Sequence, residues 1–173
     1  MSKREVVIDY EYLLGTHGEE VIKELFVAST DVRETLRFLP PYRMDPHSND
    51  QNGLCWDNES IAYGSLFQVV AGATANFTNL FAKGTEKCKV LTELLGRCVR
   101  NLDSFGCPER KEFKMTTGCS LPCHKHPDKS CAARNAYNLY GWLRHHTQEK
   151  ECVKCPKDNT RHTAILNSGI KTE

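Results

Sequence analysis

The stretch from Cys119 to Trp142 carries the densest set of potential metal ligands in the chain. Its sequence, CSLPCHKHPDKSCAARNAYNLYGW, places cysteines and histidines directly before a segment with helical periodicity. Cys123, His126 and Cys131 offer two thiolates and an imidazole, a mixed set that tetrahedral zinc accepts at roughly 2.0–2.3 Å. The alternative interpretation is a group of buried free thiols beside surface histidines.

Acidic residues near the start of the chain form a second candidate centre. The sequence VVIDYEYL over residues 6–13 predicts a strand in which Asp9 and Glu11 point to the same side, roughly 7 Å apart. Two carboxylates at that spacing can share a metal ion, although a solvent-facing acidic pair is an equally simple interpretation. In a second predicted strand over residues 20–29, Glu24 shares a face with Ile22, Phe26 and Ala28. If that face is buried, the carboxylate needs a cation or a metal as a partner.

Both strands and helices are needed to position these residues. Three consecutive predicted strands, the third ended by Pro40-Pro41, indicate an antiparallel meander, and the alternation of helix and strand that follows favours parallel pairing. The predicted elements are strands over 6–13, 20–29, 32–39, 77–82 and 98–102 and helices over 61–76, 86–96 and 131–144. This order is that of the ribonuclease-H-like fold, an α/β fold with a mixed sheet flanked by helices. We expect such a domain over residues 1–146 and a polar tail over 147–173.

Composition limits the alternatives. The chain has 173 residues, of which 39% are hydrophobic, and its 23 basic and 22 acidic residues give a net charge of +1. Such a balance excludes a strongly basic nucleic-acid binder at the level of the whole chain, so any such surface must be local. No run approaches the length of a membrane-spanning helix, and the first residues lack a signal-peptide core. With nine cysteines, we expect a reducing intracellular compartment, cytoplasmic or nuclear.

The acidic pair resembles the opening motif of the DEDD-type 3′–5′ exonucleases, which hold two Mg²⁺ ions with four carboxylates. In this chain, Glu86 is the candidate for the second acidic position, and Cys131 stands where the last aspartate is expected after His126. A thiol in place of an oxygen ligand disfavours Mg²⁺ and favours zinc. An active nuclease would bind Mg²⁺ or Mn²⁺ and use His126 as general base. Its candidate metal ligands are Asp9, Glu11, Glu86, and either Asp103 or Asp128.

The cysteine–histidine motif resembles the Maelstrom domain, a ribonuclease-H-like domain of germline small-RNA pathways; transposon-associated arthropod proteins are also similar. The resemblance rests on Cys123-x2-His126, a short spacer, and Cys131-Ala132 opening a helix. It implies a zinc site made by Glu24, Cys123, His126 and Cys131. It also implies a catalytically degenerate module that binds single-stranded RNA or DNA, or a protein partner. From the residues alone, Cys119 and Cys107 remain rival candidates for the fourth zinc ligand.

Two further features of the sequence are weaker indications of a binding site. Cys152-x2-Cys155 with His162 forms either a second metal site or a pair of unpaired thiols. A set of basic residues can line one edge near the cluster or can be ordinary solvated charges: Arg43, Lys83, Lys87, Lys89, Arg97, Arg100, Lys125 and Arg134.

Overall fold

The computed structural model describes residues 4–42, 60–113 and 131–153. The chain divides into two compact units, Met1–Leu143 and Arg144–Glu173. The fold described below is that of the first unit; the described part of the second continues the last helix.

The first unit is built on a five-stranded mixed sheet. Its strands are β1 (Glu5–Leu14), β2 (Glu20–Ala28), β3 (Arg33–Arg37), β4 (Asn79–Ala82) and β5 (Val99–Asn101). They lie in the order β3-β2-β1-β4-β5, so β1 is central. The β1–β2 and β2–β3 pairs are antiparallel, whereas β1–β4 and β4–β5 are parallel. The predicted ribonuclease-H-like mixed sheet, with three antiparallel strands followed by two parallel ones, is therefore confirmed.

Three α-helices accompany the sheet: α1 (Leu66–Thr74), α2 (Thr85–Leu95) and α3 (Ala132–Val153). Short 3₁₀ helices precede α1 at Tyr63–Ser65 and follow β5 at Leu102–Phe105. In α1 the buried residues are Leu66, Val70 and Thr74. The apolar residues of this helix predict a buried stripe of Leu66, Phe67, Val70 and Ala73. Phe67 is nevertheless 51% exposed, because a residue next to Leu66 points about 100° away from it around the helix.

The sheet separates two apolar cores. Side chains alternate between its faces, as the period of a strand requires. One face packs against α1 and α2, with a core that includes Val6, Ile8, Val70, Leu80 and Leu91. The opposite face packs against α3, with a core that includes Val7, Phe26, Phe81, Ala136 and Leu139.

A β-bulge in β2 corrects one prediction. The register pairs Glu11 with Glu24 but Tyr12 with Ile22, so Lys23 is the extra residue of β2. Ile22 consequently packs in the core on the α1/α2 side, whereas Phe26 and Ala28 pack on the α3 side. The expected common face of Ile22 and Glu24 is therefore wrong.

None of the helices in the described part of the chain is long and apolar enough to cross a membrane.

Candidate functional site

Carboxylates gather on the α3 side of the two central antiparallel strands. Asp9 lies opposite Phe26, and Glu11 lies opposite Glu24, so the alternation of the strands places all three acids on one face. Asp9 is fully buried and Glu24 is only 3% exposed. Ionised groups in such positions require nearby cations, because burial removes the solvation that stabilises their charge.

Lys87 supplies the cation for Asp9. Its Nζ lies 2.6 Å from Asp9 Oδ1 and donates a second hydrogen bond to the Tyr10 carbonyl, also at 2.6 Å. The same ammonium lies 4.9 Å from the centroid of the Tyr10 ring. Asp9 and Tyr10 lie beyond Val7, the last residue of β1 that pairs with β4, so Lys87 reaches both of them past the carboxyl end of β4. Three contacts to these adjacent residues of β1 hold the ammonium there, and the Lys87 side chain is only 17% exposed.

The fold explains how Lys87 reaches this position. β4 is parallel to β1 and beside it, and only two residues, Lys83 and Gly84, separate β4 from α2. Lys87 precedes Leu91, a buried residue of α2, by four positions, so the two side chains share one stripe of the helix. Glu86, the candidate for the second acidic position of a nuclease, is exposed. A basic residue therefore contacts Asp9 where the exonuclease resemblance led us to expect an acidic one.

Arg37 supplies the cation for Glu24. The two residues are register partners in β2 and β3, and Arg37 Nε lies 3.1 Å from Glu24 Oε2. The Glu24 side chain is buried, whereas the Arg37 side chain is 25% exposed. This ion pair occupies one oxygen of Glu24, so a metal bonded to Glu24 would have to use the other oxygen alone.

Cys131 is the other described member of the predicted zinc set. It is buried at the start of α3, and its Sγ accepts a hydrogen bond from the Arg134 backbone N–H at 3.4 Å. A sulfur at the start of a helix that accepts a backbone N–H hydrogen bond is compatible with a zinc-bound cysteine, so the position of Cys131 fits the predicted zinc set. Cys123 and His126 lie outside the described residues, so the four-residue set stays a prediction.

The rival ligands have different environments. Cys107 is buried near the face that packs on α3, and burial raises the pKa of its thiol to about 11. Its carbonyl accepts a hydrogen bond from Lys83 at 3.3 Å. A thiol whose neutral form is favoured is a less ready zinc ligand, because zinc binds the thiolate. Cys119 and Asp128 lie outside the described residues, as do Cys155 and His162, and the side chain of Cys152 is likewise not described.

Within residues 4–42, 60–113 and 131–153, no three or more His, Cys, Asp or Glu side chains are grouped so that they could hold a metal ion. The structure thus does not bring Glu86 and Asp103 together with Asp9 and Glu11. Asp103 instead forms an ion pair with Lys83, the residue that follows β4 in the chain.

A pocket of about 450 Å³ opens beside that ion pair, at the carboxyl edge of β4 and β5. Its lining consists of Lys83, Gly84, Asp103, Glu109 and Lys111. Ligands of open α/β sheets commonly bind at this edge. Here, however, two lysines and two carboxylates balance one another, so the pocket has no electrostatic preference for an anion or a cation.

Comparisons with protein-family models, with curated proteins and with solved structures find no match to this chain. Its function is therefore inferred from the geometry of its own residues.

No sequence signal points to Arg37 as a partner of Glu24, and the sequence predicts Lys87 only as one member of a basic edge. A signal for Lys87 was nevertheless present. A lysine four residues before a buried leucine, in the first turns of a helix that follows a parallel strand, continues the inward stripe of that helix. No comparable local signal identifies Arg37, because its partner depends on the register of β2 and β3.

Proposed function

We propose that this chain is a catalytically degenerate ribonuclease-H-like domain, stabilised by zinc, that binds single-stranded RNA or another partner. In this proposal Asp9 and Glu11 are remnants of an acidic centre. Glu24, Cys123, His126 and Cys131 would hold the zinc ion, which would tie the start of α3 to β2 and supply folding free energy.

The ion pair between Lys87 and Asp9 carries the proposal. A two-metal nuclease needs ionised carboxylates directed at vacant coordination space. An ammonium 2.6 Å from Asp9 Oδ1 neutralises that carboxylate and competes with any metal for the same oxygen. The exposed position of Glu86 supports the same conclusion, because it removes a second carboxylate from the centre.

A nuclease assay tests the degenerate centre. We expect no Mg²⁺- or Mn²⁺-dependent shortening of labelled single-stranded RNA or DNA, and identical traces for the wild type and Asp9→Ala. Metal-dependent degradation by the wild type would refute the proposal if it disappears both in Asp9→Ala and in Asp9→Asn, which removes the charge of Asp9 but keeps its size. Such a result would show an active exonuclease.

Elemental analysis tests the zinc component separately. The purified chain should contain one zinc ion, and Cys131→Ser and Cys123→Ser should each lose it together with much of the folding free energy. Cys98→Ser is the matched control, since Cys98 is an exposed free cysteine away from the proposed set. Absence of zinc from the wild type, or retention in both ligand variants, removes this component.

A further inference from the structure

The outward side of α3 carries an exposed tyrosine in contact with an arginine. The Arg33 guanidinium lies 4.8 Å from the centroid of the Tyr137 ring, and Tyr137 is 46% exposed. Arg33 belongs to the edge strand β3 and pairs with Ala28, whose side chain packs on the α3 side of the sheet. A hydrogen bond of 2.6 Å between Tyr140 Oη and Thr30 Oγ1 joins the same side of α3 to the β2–β3 turn. The tyrosine and the arginine are thus held together by two separate elements.

The helix surface beside Tyr137 is open. Gly141 follows Tyr137 by four residues and therefore lies on the same side of α3. A Cβ at Gly141 would meet nothing within 4 Å in the part of the chain that the structure describes. Glycine disfavours a helix interior relative to alanine, but here it leaves a flat surface next to an exposed aromatic ring.

Arg33 and Arg134 give the surroundings of Tyr137 more basic than acidic side chains. Between Asp128 and Gly141 the sequence contains no acidic residue, and Arg134 precedes Tyr137 by three residues on the same side of α3. The acidic residues nearest to Arg33 in sequence are Asp31, in the β2–β3 turn, and Glu34. Glu34 pairs with Val27, which packs on the opposite side of the sheet, so its side chain points away from α3.

We infer that the α3 outer face, defined as Arg33, Tyr137 and Gly141, binds single-stranded nucleic acid. The inference rests on the proposed function and assigns it a surface. A base would stack on Tyr137 over the open floor at Gly141, and Arg33 would pair with a phosphate. An exposed contact between a cation and an aromatic ring is weaker than base–aromatic stacking, so a base can replace the guanidinium over the ring.

A pair of glycine substitutions tests this face with the full chain. Gly141→Glu places a negative charge beside Tyr137. Gly72→Glu is the matched control: Gly72 lies in α1, on the other side of the sheet, and also has nothing within 4 Å in the described structure. Fluorescence anisotropy with labelled single-stranded RNA and DNA should show a loss of roughly tenfold or more for Gly141→Glu, and little change for Gly72→Glu.

Stacking of a base on Tyr137 is tested by a second pair of variants, Tyr137→Ala and Phe67→Ala, and by an oligonucleotide without bases. Tyr137→Ala should weaken binding of RNA or DNA about tenfold or more, but should leave binding of an abasic oligonucleotide of the same length almost unchanged. Phe67→Ala, which removes an exposed aromatic ring from α1, should change none of these affinities. A comparison of RNA with DNA then shows which strand the face prefers. Circular dichroism and thermal melting establish that every variant is folded.

The outcomes separate this inference from the proposed function. If the wild type binds single strands but Gly141→Glu and Gly72→Glu bind alike, the α3 outer face is not the site, and the proposed function stands. If the wild type binds no oligonucleotide, the RNA-binding part of the proposed function and this inference both fail. If polyglutamate binds as tightly as RNA and Tyr137→Ala has no effect, the face serves an acidic protein partner and the inference is overturned.

Discussion

Glu11 of β1 lies directly opposite Glu24 of β2 in the antiparallel register. Like charges in directly paired positions destabilise a sheet unless cations are close, and burial of Glu24 strengthens the repulsion. Arg37 meets this requirement from the next strand, since its Nε lies 3.1 Å from Glu24. Two carboxylates and an arginine across three adjacent strands form a charged row on the face where α3 packs.

Removal of Arg37 should therefore cost stability. We expect Arg37→Met to lower the free energy of unfolding by about 2–3 kcal/mol, because it leaves a buried carboxylate without this hydrogen-bonded cation. Arg33→Met, on the same strand, removes an exposed arginine and should cost less than about 1 kcal/mol. Urea unfolding of both variants measures the difference, and equal losses would show that the Arg37–Glu24 pair contributes little.

Loss of the ion pair between Lys87 and Asp9 should cost more folding free energy than loss of the Arg37–Glu24 pair, because Asp9 is fully buried. Lys87→Met should destabilise the domain by roughly 3–5 kcal/mol, since the Asp9 carboxylate would be left without its ammonium partner in the interior. Lys89→Met is the matched control, two residues further along α2 at an exposed position, and we expect it to have little effect.

A double variant distinguishes the charge from the packing. In Asp9→Asn/Lys87→Met neither residue carries a charge, so we expect most of the stability lost in Lys87→Met to return. A double-mutant cycle by urea unfolding gives the coupling free energy. Strictly additive losses in that cycle would mean that the ion pair has no special role.

Sequence reasoning reached the parts of this fold that depend on local periodicity. Alternation in β1 predicted that Asp9 and Glu11 share a face, because the period of two is a property of the strand itself. The same alternation, applied to β2, placed Ile22 on the wrong face, because the bulge at Lys23 becomes visible only when β2 is paired with β1. The exposure of Phe67 shows a similar limit, because several angles around α1 accommodate the same apolar residues.

The candidate site was less accessible to such reasoning. The acids could be found from their spacing, but their partners Lys87 and Arg37 come from other elements and depend on the packing of α2 and the register of β3. Glu86, the candidate for the second acidic position of a nuclease, is exposed, and the neighbouring Lys87 contacts Asp9 instead. The zinc set, with Cys123 and His126 outside the described residues, stays a prediction.

Stability should fall at alkaline pH because of two buried thiols. Burial raises the pKa of Cys88 and of Cys107 from 9.0 to about 11. Between those values the unfolded chain loses these protons while the folded chain retains them, so the unfolded state gains stability as pH rises. Below pH 9 the contribution is fully present, and it is lost progressively from about pH 9 to 11.

Urea unfolding from pH 8 to 10.5 under reducing conditions measures this dependence. Cys88→Ala should be less stable at every pH, because it leaves a small cavity, but its stability should fall less steeply than that of the wild type. Cys98→Ala, which changes an exposed thiol, should keep the wild-type slope. A wild-type stability that is flat or rising over this range contradicts the assignment.

Two glycine-to-alanine substitutions should have opposite effects. Gly84, which joins β4 to α2, has φ +97° and ψ 137°, a conformation that an L side chain rarely adopts. Gly84→Ala should therefore lower the free energy of unfolding by about 1–3 kcal/mol through backbone strain, even though no neighbour within 4 Å obstructs the added methyl group in the described structure. Gly72 lies within α1 with similar open space, and Gly72→Ala should raise stability by about 0.5–1 kcal/mol, because alanine favours the helix. Thermal and urea unfolding of the two variants give the signs directly. A stabilising Gly84→Ala would show that the turn which positions Lys87 at Asp9 does not require its left-handed backbone.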